Sequence, residues 1–508
     1  MDAKAIEHET LDEKDRHSVE DDALRMTSAE EKRLLRRIDL WIVPYASLLY
    51  LLSFLDRVNI GQARLAGLEK DLGLHGNQYD IALTIFFVSY VAFELPSNLL
   101  LKKFKPQRWI CFLMVCWSIL QIAMGLVTNR QGLYATRFLL GVFESGLFPG
   151  LNFLFTTWYT RNELNFRVSI FFAGATLAGA FGGILAFGIR HMAGVGGKDG
   201  WAWIFILEGL LTLVCSIPAL WLVQDFPQYS NLLTPEECTK WLHRLTTSQG
   251  VTNSPLPFTK AQVVRALTDW KTYVYSAIYL SIGQPFYSLS LFVPSIIAAL
   301  GFTNANANLL SAAPYALGTV TTLTVAYISD RYSIRAPIIV VTMIFTVIGY
   351  IILLCNVSAA AKYVAVFITV AGVSPSISTA ITFVGNNFGP MYTRAAVMGI
   401  FFSFGNSAGI ISSNVYPTGD APRYIRGHAI ALGFSCLTIA LCSFMTYYNM
   451  RENARRDRVY GVPNPDGSDC NPINADDPVR LKKWGLEGKT KQEIIEMGDL
   501  HPAFRYVI

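Results

Sequence analysis

Four carboxylates and two guanidiniums lie in stretches of this sequence otherwise apolar enough to cross a membrane: Asp56, Glu94, Glu144, Glu208, Arg57 and Arg137. Each such charge costs roughly 2.5–3.5 kcal/mol to insert even on a lenient scale, so each needs a reason. Asp56 and Arg57 are neighbours, and neighbours on a helix point about 100° apart, so they serve different partners rather than each other. Arg137, Gly141 and Glu144 are spaced by four and three. That spacing puts guanidinium and carboxylate on one face, about 10.5 Å apart along the axis, with a bare glycine between them. The pair is suited to bracketing a polar group from a facing helix, with Asp56 or Arg57 the candidate. A buried carboxylate that trades partners is what proton coupling requires. The plainer alternative is a static ion-pair network. Glu94, two turns before Lys102 and Lys103, is expected in a structural pair near the membrane interface. Glu208 is expected either to hold an inner gate or to satisfy a neighbouring backbone group.

The second half of the chain is different. Residues 272–329 and 363–393 contain no Asp, Glu, Lys, Arg or His. Only amides, hydroxyls and rings remain there to meet a solute, and Gln284, Tyr287, Asn386 and Asn406 are the candidate substrate contacts. Lone polar residues at such depth also serve as interhelical hydrogen-bonding groups, a role open to Tyr315, Asn387 and Asn414 as well.

The elements that must position these groups follow from composition. Of 508 residues, 16% are charged, against roughly 25% in an ordinary soluble protein. The charges crowd into residues 1–38 and 451–508, leaving about one in ten between. A cytosolic enzyme, a secreted disulfide scaffold and a disordered regulator are excluded. A membrane helix needs about 20 apolar residues, and twelve runs qualify: 39–60, 79–101, 108–127, 132–158, 167–190, 201–223, 272–299, 307–329, 335–356, 362–388, 396–416 and 428–449. The expected fold is an all-α membrane protein: a tail (1–38), a six-helix bundle (39–223), a central loop with short amphipathic helices (224–271), a second six-helix bundle (272–449) and a second tail (450–508). Basic residues concentrate on the side of the tails, 17 against 7 in the opposite loops, which predicts both termini in the cytoplasm. The spacing of Gly179 with Gly183, Gly146 with Gly150 and Gly405 with Gly409 marks close helix approach, compatible with sliding or static packing.

No catalytic constellation, phosphate-binding loop or metal-spaced His or Cys pair occurs, so neither an enzyme nor a cofactor is expected. The eight cysteines read as reduced packing residues.

Several motifs carry a family resemblance between about Ile38 and Arg458: Phe54-Leu-Asp-Arg-Val-Asn-Ile-Gly61, Glu94-Leu-Pro-Ser-Asn98, Arg137-Phe-Leu-Leu-Gly-Val-Phe-Glu-Ser-Gly-Leu-Phe-Pro-Gly150, Trp203-Ile-Phe-Ile-Leu-Glu-Gly209, Ser329-Asp-Arg331, Gly405-Asn-Ser-Ala-Gly-Ile-Ile411 and Ala421-Pro-Arg-Tyr424. The chain resembles the major facilitator superfamily, and within it the fungal anion:cation symporters typified by allantoate and nicotinate permeases. The resemblance implies two bundles with a midplane site between them, with Asp56 and Glu144 carrying protons, Arg57 contacting the substrate anion and Arg137 modulating Glu144. It also implies Gln284 and Asn406 as second-bundle contacts. The chain departs from the pattern after Asn98, where the superfamily's acidic residue is missing, and at Phe383, where the family often has Trp.

The expected function is proton-coupled symport of a small organic anion, a carboxylate such as nicotinate, pantothenate or allantoate. Its partners are that anion, protons and the lipid bilayer, with no nucleic acid. The chain is expected as a monomer in the plasma membrane. The alternatives are an uncoupled facilitator or efflux carrier of the same fold and a nutrient sensor.

Overall fold

In lipid a spanning segment must satisfy its own backbone, which leaves helices or closed barrels. The computed structural model, which describes residues 26–248, 260–389, 391–464, 469 and 478–508, is helical and has no strand among those residues. Among the described residues, twelve helices are long and apolar enough to cross a membrane: spans 1 to 12 are Ser28–Leu65, Gln78–Asn98, Pro106–Met124, Arg130–Trp158, Phe166–Met192, Gly200–Leu222, Trp270–Ala299, Asn304–Tyr332, Ala336–Leu354, Ala359–Asn387, Thr393–Ser412 and Ile425–Tyr460. Each coincides with one expected run. Spans 1 and 12 run well past the apolar stretch into charged sequence; span 1 begins in a capping box between Thr27 and Glu30.

Span 4 is two helices, Arg130–Glu144 and Leu147–Trp158. The cause is Pro149, whose ring crowds the carbonyl of Ser145 four residues back. The break falls directly after Glu144.

Span 1 packs on spans 5 and 6, span 2 on span 4, and span 3 on spans 4 and 6. Span 7 packs on spans 10, 11 and 12, and span 9 on spans 10 and 12. Between the two halves the main contacts are of span 5 with span 8, span 2 with span 11 and span 1 with span 7, with smaller ones of span 5 with span 10 and span 1 with span 8. An even number of spans returns the chain to the side it started from, here termed the tail end.

At the opposite, far end the halves meet backbone to backbone. A Cβ on Gly61 would lie 2.5 Å from the Leu291 carbonyl oxygen, and one on Gly183 2.4 Å from that of Asn308. The Gly179–Gly183 stripe therefore faces the other half of the molecule. Gly146 instead packs within its own half, against Ser97.

At the tail end the central loop forms two helices, Pro235–Ser248 and Lys260–Thr268; residues 249–259 of that loop, and residues 1–25 of the first tail, lie outside the described residues. Arg244 bridges Glu163 (2.6 Å) and Glu31, tying the loop to span 1 and to the helical turn that leads into span 5. The second tail has a small core of its own, Trp484, Leu486, Ile494 and Ala503. Its last residues fold back onto the second half. Val507 is held by the side chains of Asn387 and Asn449, and Arg456 donates to the carbonyls of Asp499, His501 and Phe504.

Candidate substrate and proton site

Arg57 and Glu144 form the centre of the site. Arg57 NH2 and Nε lie 2.6 and 2.9 Å from Glu144 Oε1, and the two side chains are 3% and 0% exposed. Ser53, one turn before Arg57, donates to the same oxygen at 2.8 Å. The Arg57 guanidinium is flanked by the rings of Phe54, Phe86 and Tyr90, the last at 4.7 Å. Desolvating two charges is costly, and attraction offsets that cost only with close geometry and further hydrogen bonds; this pair has both. Glu144 Oε2 nonetheless has no hydrogen-bond partner among the described residues.

The same guanidinium reaches the other half of the molecule. Arg57 NH1 donates toward the Tyr287 hydroxyl (3.4 Å), that hydroxyl donates to Asn406 Oδ1 (2.8 Å), and Asn406 Nδ2 donates to both oxygens of Glu94 (3.1 Å each). A hydrogen-bonded chain thus runs from Glu144 in span 4 through spans 1, 7 and 11 to Glu94 in span 2. Arg57, Tyr287 and Asn406 line a cavity between the halves, together with aromatic residues that include Tyr50, Tyr90, Phe148 and Tyr279. Its free space is room for about one water molecule. Toward the tail end Phe148 stands edge-on to Phe402 across the halves, with centroids 5.2 Å apart.

Of the sequence candidates, Arg57, Glu144, Tyr287 and Asn406 come together here. The others sit elsewhere. Asp56 points away from the cavity into the first half, where Oδ2 accepts from Thr212 (2.9 Å) and Trp117 (3.2 Å). Arg137 lies behind Arg57, its NH1 directed at the Arg57 carbonyl (3.4 Å). The gap at Gly141 itself is filled by Phe86 and Ser89 of span 2, while Arg57 of span 1 meets both ends of the pair, its guanidinium on Glu144 and its carbonyl toward Arg137. Gln284 is fully buried, donates to Ser288 within its own helix and does not line the cavity. Asn386 also stands off the cavity, next to the Asn387 that holds the tail.

Glu94 corrects an expectation. It is bonded across the halves to Asn406, not paired at the membrane interface. The signal was present as Phe86, Tyr90 and Glu94 at successive spacings of four, one helix stripe whose first two rings flank Arg57. Glu208 is held by the Asn59 amide (2.9 Å). Among the described residues, only Glu144 of these four buried carboxylates has a cation within ion-pair distance; Asp56, Glu94 and Glu208 rely on neutral donors.

Twelve spanning helices in two halves, with a closed polar cavity between them and charges on one side of it, define a multi-pass membrane transporter. The sequence comparisons specify the family. The family model described as Major Facilitator Superfamily matches residues 46–413, and the chain belongs to that superfamily. It is 34% identical over 434 residues to an uncharacterized transporter of Schizosaccharomyces pombe, covering 85% of this chain and 86% of that one. The MFS-type transporter cnsO of Penicillium expansum is 33% identical over 495 residues, 95% of this chain and 92% of the relative. The major facilitator-type transporter hxnP of Emericella nidulans is 32% identical, with 85% and 88% covered. Among solved structures, a bacterial homologue of the human lysosomal transporter Spinster, inward-facing and occupied, superposes with a TM-score of 0.61 at 13% identity, covering 80% of this chain and 96% of that one. At that identity the likeness is one of fold.

Proposed function

We propose that this transporter carries a small organic anion together with protons, in the manner of the fungal anion:cation symporters its motifs resemble. The observation that carries the reading is Arg57: a buried guanidinium that contributes to the cavity wall, with one side on Glu144 and the other directed at Tyr287 of the opposite half. A carboxylate arriving in the cavity finds a fork-shaped cation already dehydrated and oriented, with the Tyr287 hydroxyl and the Asn406 amide as second-half contacts. Loss of the Glu144 contact to the anion would leave Glu144 in need of a proton. Asp56 is the second carboxylate proposed to titrate, and Arg137 sets the field between the two.

With both tails in the cytoplasm, the close approaches of Gly61 to Leu291 and Gly183 to Asn308 lie toward the outside and the Phe148–Phe402 contact toward the cell interior. One proton per monoanion draws only on the pH gradient, about 1.4 kcal/mol per unit. A second proton would add the membrane potential, about 2.3 kcal/mol per 100 mV.

The test is a competition panel of radiolabelled carboxylates, including nicotinate, pantothenate and allantoate, in cells expressing the chain, with and without a protonophore. Concentrative uptake that rises at acidic pH and collapses with the protonophore is expected. Equilibration that ignores both would make the protein a facilitator.

A further inference from the structure

Glu94 stands outside the Arg57–Glu144 pair and has a geometry of its own. Both of its oxygens lie 3.1 Å from the Asn406 amide nitrogen, while Asn406 Oδ1 is engaged by Tyr287. The donor side of Asn406, the side that would grip a substrate carboxylate from the second half, is therefore already occupied by a carboxylate of the first half.

Resting on the reading that the cargo is a carboxylate, we infer that Glu94 is an internal stand-in for it: the anion displaces Glu94 from Asn406, and Glu94 takes up a proton as it leaves. The physical reason is desolvation. An ionised carboxylate away from water needs donors or a cation. Among the described residues the Asn406 amide is the one donor within hydrogen-bond distance of Glu94, and no cation lies within ion-pair distance. Arg57 is the nearby cation, and its Nε and NH2 are committed to Glu144. The other titratable groups around Glu94 are Tyr90 of its own helix and Tyr279 and Tyr287 of span 7, all neutral donors rather than cations. When the anion takes the amide, Glu94 stays buried only as the neutral acid. The proton comes from solvent and binds one Glu94 oxygen; the Asn406–Glu94 hydrogen bonds are replaced by Asn406–anion bonds, and no covalent bond breaks. One negative charge and one proton arrive together, so the site's net charge is conserved. In the other direction, acid neutralises Glu94, frees the amide and raises affinity for the anion. Because Glu94 and Asn406 belong to spans 2 and 11, the exchange also releases a tie between the two halves.

The experiment titrates nicotinate, pantothenate and allantoate into the purified full chain in weak buffer and follows proton uptake and affinity. The wild-type protein is expected to absorb one more proton per bound anion than Glu94→Gln does, and its affinity to fall more steeply toward alkaline pH, by up to about tenfold more per pH unit. Uptake left in Glu94→Gln is that of the Glu144 side. Asn406→Ala, which deprives Glu94 of its donor from the start, should lose the same one-proton increment and serves if Glu94→Gln does not fold. Glu94→Gln combined with Glu144→Gln should absorb one proton fewer than Glu144→Gln alone, which separates this site from the Arg57 pair. Proton uptake in Glu94→Gln equal to that of the wild type overturns the inference. Spin labels on spans 2 and 11 at the tail end test it with no anion present. A distance that changes between pH 8 and pH 5 in the wild type but not in Glu94→Gln supports the switch; the same change in both sinks it. If none of the three anions binds while the labels report that switch, the carboxylate reading fails and the Glu94 switch survives.

Discussion

Gly61 in span 1 rests against the carbonyl oxygen of Leu291 in span 7, so closely that a Cβ would stand 2.5 Å from it. No real side chain tolerates that distance to backbone, so the far end closes only because residue 61 is glycine. Gly61→Val is expected to hold the far end apart: anion binding from outside persists, while the transport rate falls at least about tenfold, roughly 1.4 kcal/mol on the barrier. Cysteine accessibility at the far end, compared with and without the substitution, reads the change directly.

Arg57 offers its Nε and NH2 to Glu144 and its NH1 to Tyr287. Lysine keeps the charge but has a single point donor in place of the planar fork. Arg57→Lys is expected to raise KM for the transported anion by about tenfold or more, and Arg57→Ala to abolish concentrative uptake. A KM unchanged in Arg57→Lys would remove the guanidinium from the binding site.

Asp56 and Glu144 each keep one carboxylate oxygen without a hydrogen-bond partner among the described residues. Asp56→Asn and Glu144→Gln are expected to eliminate uphill accumulation while leaving exchange of labelled for unlabelled anion in place. Counterflow in proteoliposomes measures the second property and pH-jump-driven uptake the first. Accumulation at the wild-type level in either variant would take that residue out of the coupling role.

Phe148 and Phe402 meet across the halves on the tail side of the cavity. Removing one ring takes that contact away. Phe148→Ala is expected to speed exit on the tail side and weaken retention of the anion several-fold, seen as faster loss of preloaded label from inverted vesicles.

His501 sits in the tail segment that folds back on the second half, and burial pushes its imidazole down to about 4, with Arg456 adding to the effect and Asp469 opposing it. A histidine held below its unfolded value of about 6.5 favours the seated tail above pH 6.5, and that contribution is lost as pH falls from 6.5 toward 4. Protease cleavage within residues 484–508 should therefore increase between pH 7.5 and pH 5, and His501→Gln should flatten that dependence.

The sequence by itself determined the twelve spans and the confinement of charge to the first half, because lipid leaves a spanning chain few options and each buried charge stands out against an apolar background. It also supplied Arg57, Glu144, Tyr287 and Asn406 as residue types able to handle an anion. Only the tertiary structure decided which of the charges meet. Asp56 and Arg57 look equivalent in sequence, yet the turn of one residue sends Arg57 into the cavity and Asp56 toward Trp117 and Thr212. Glu94 looked like an interface residue because of its neighbours along the chain, but its partner Asn406 is 312 positions away. A contact between two halves depends on how whole bundles dock, and local spacing carries no record of that.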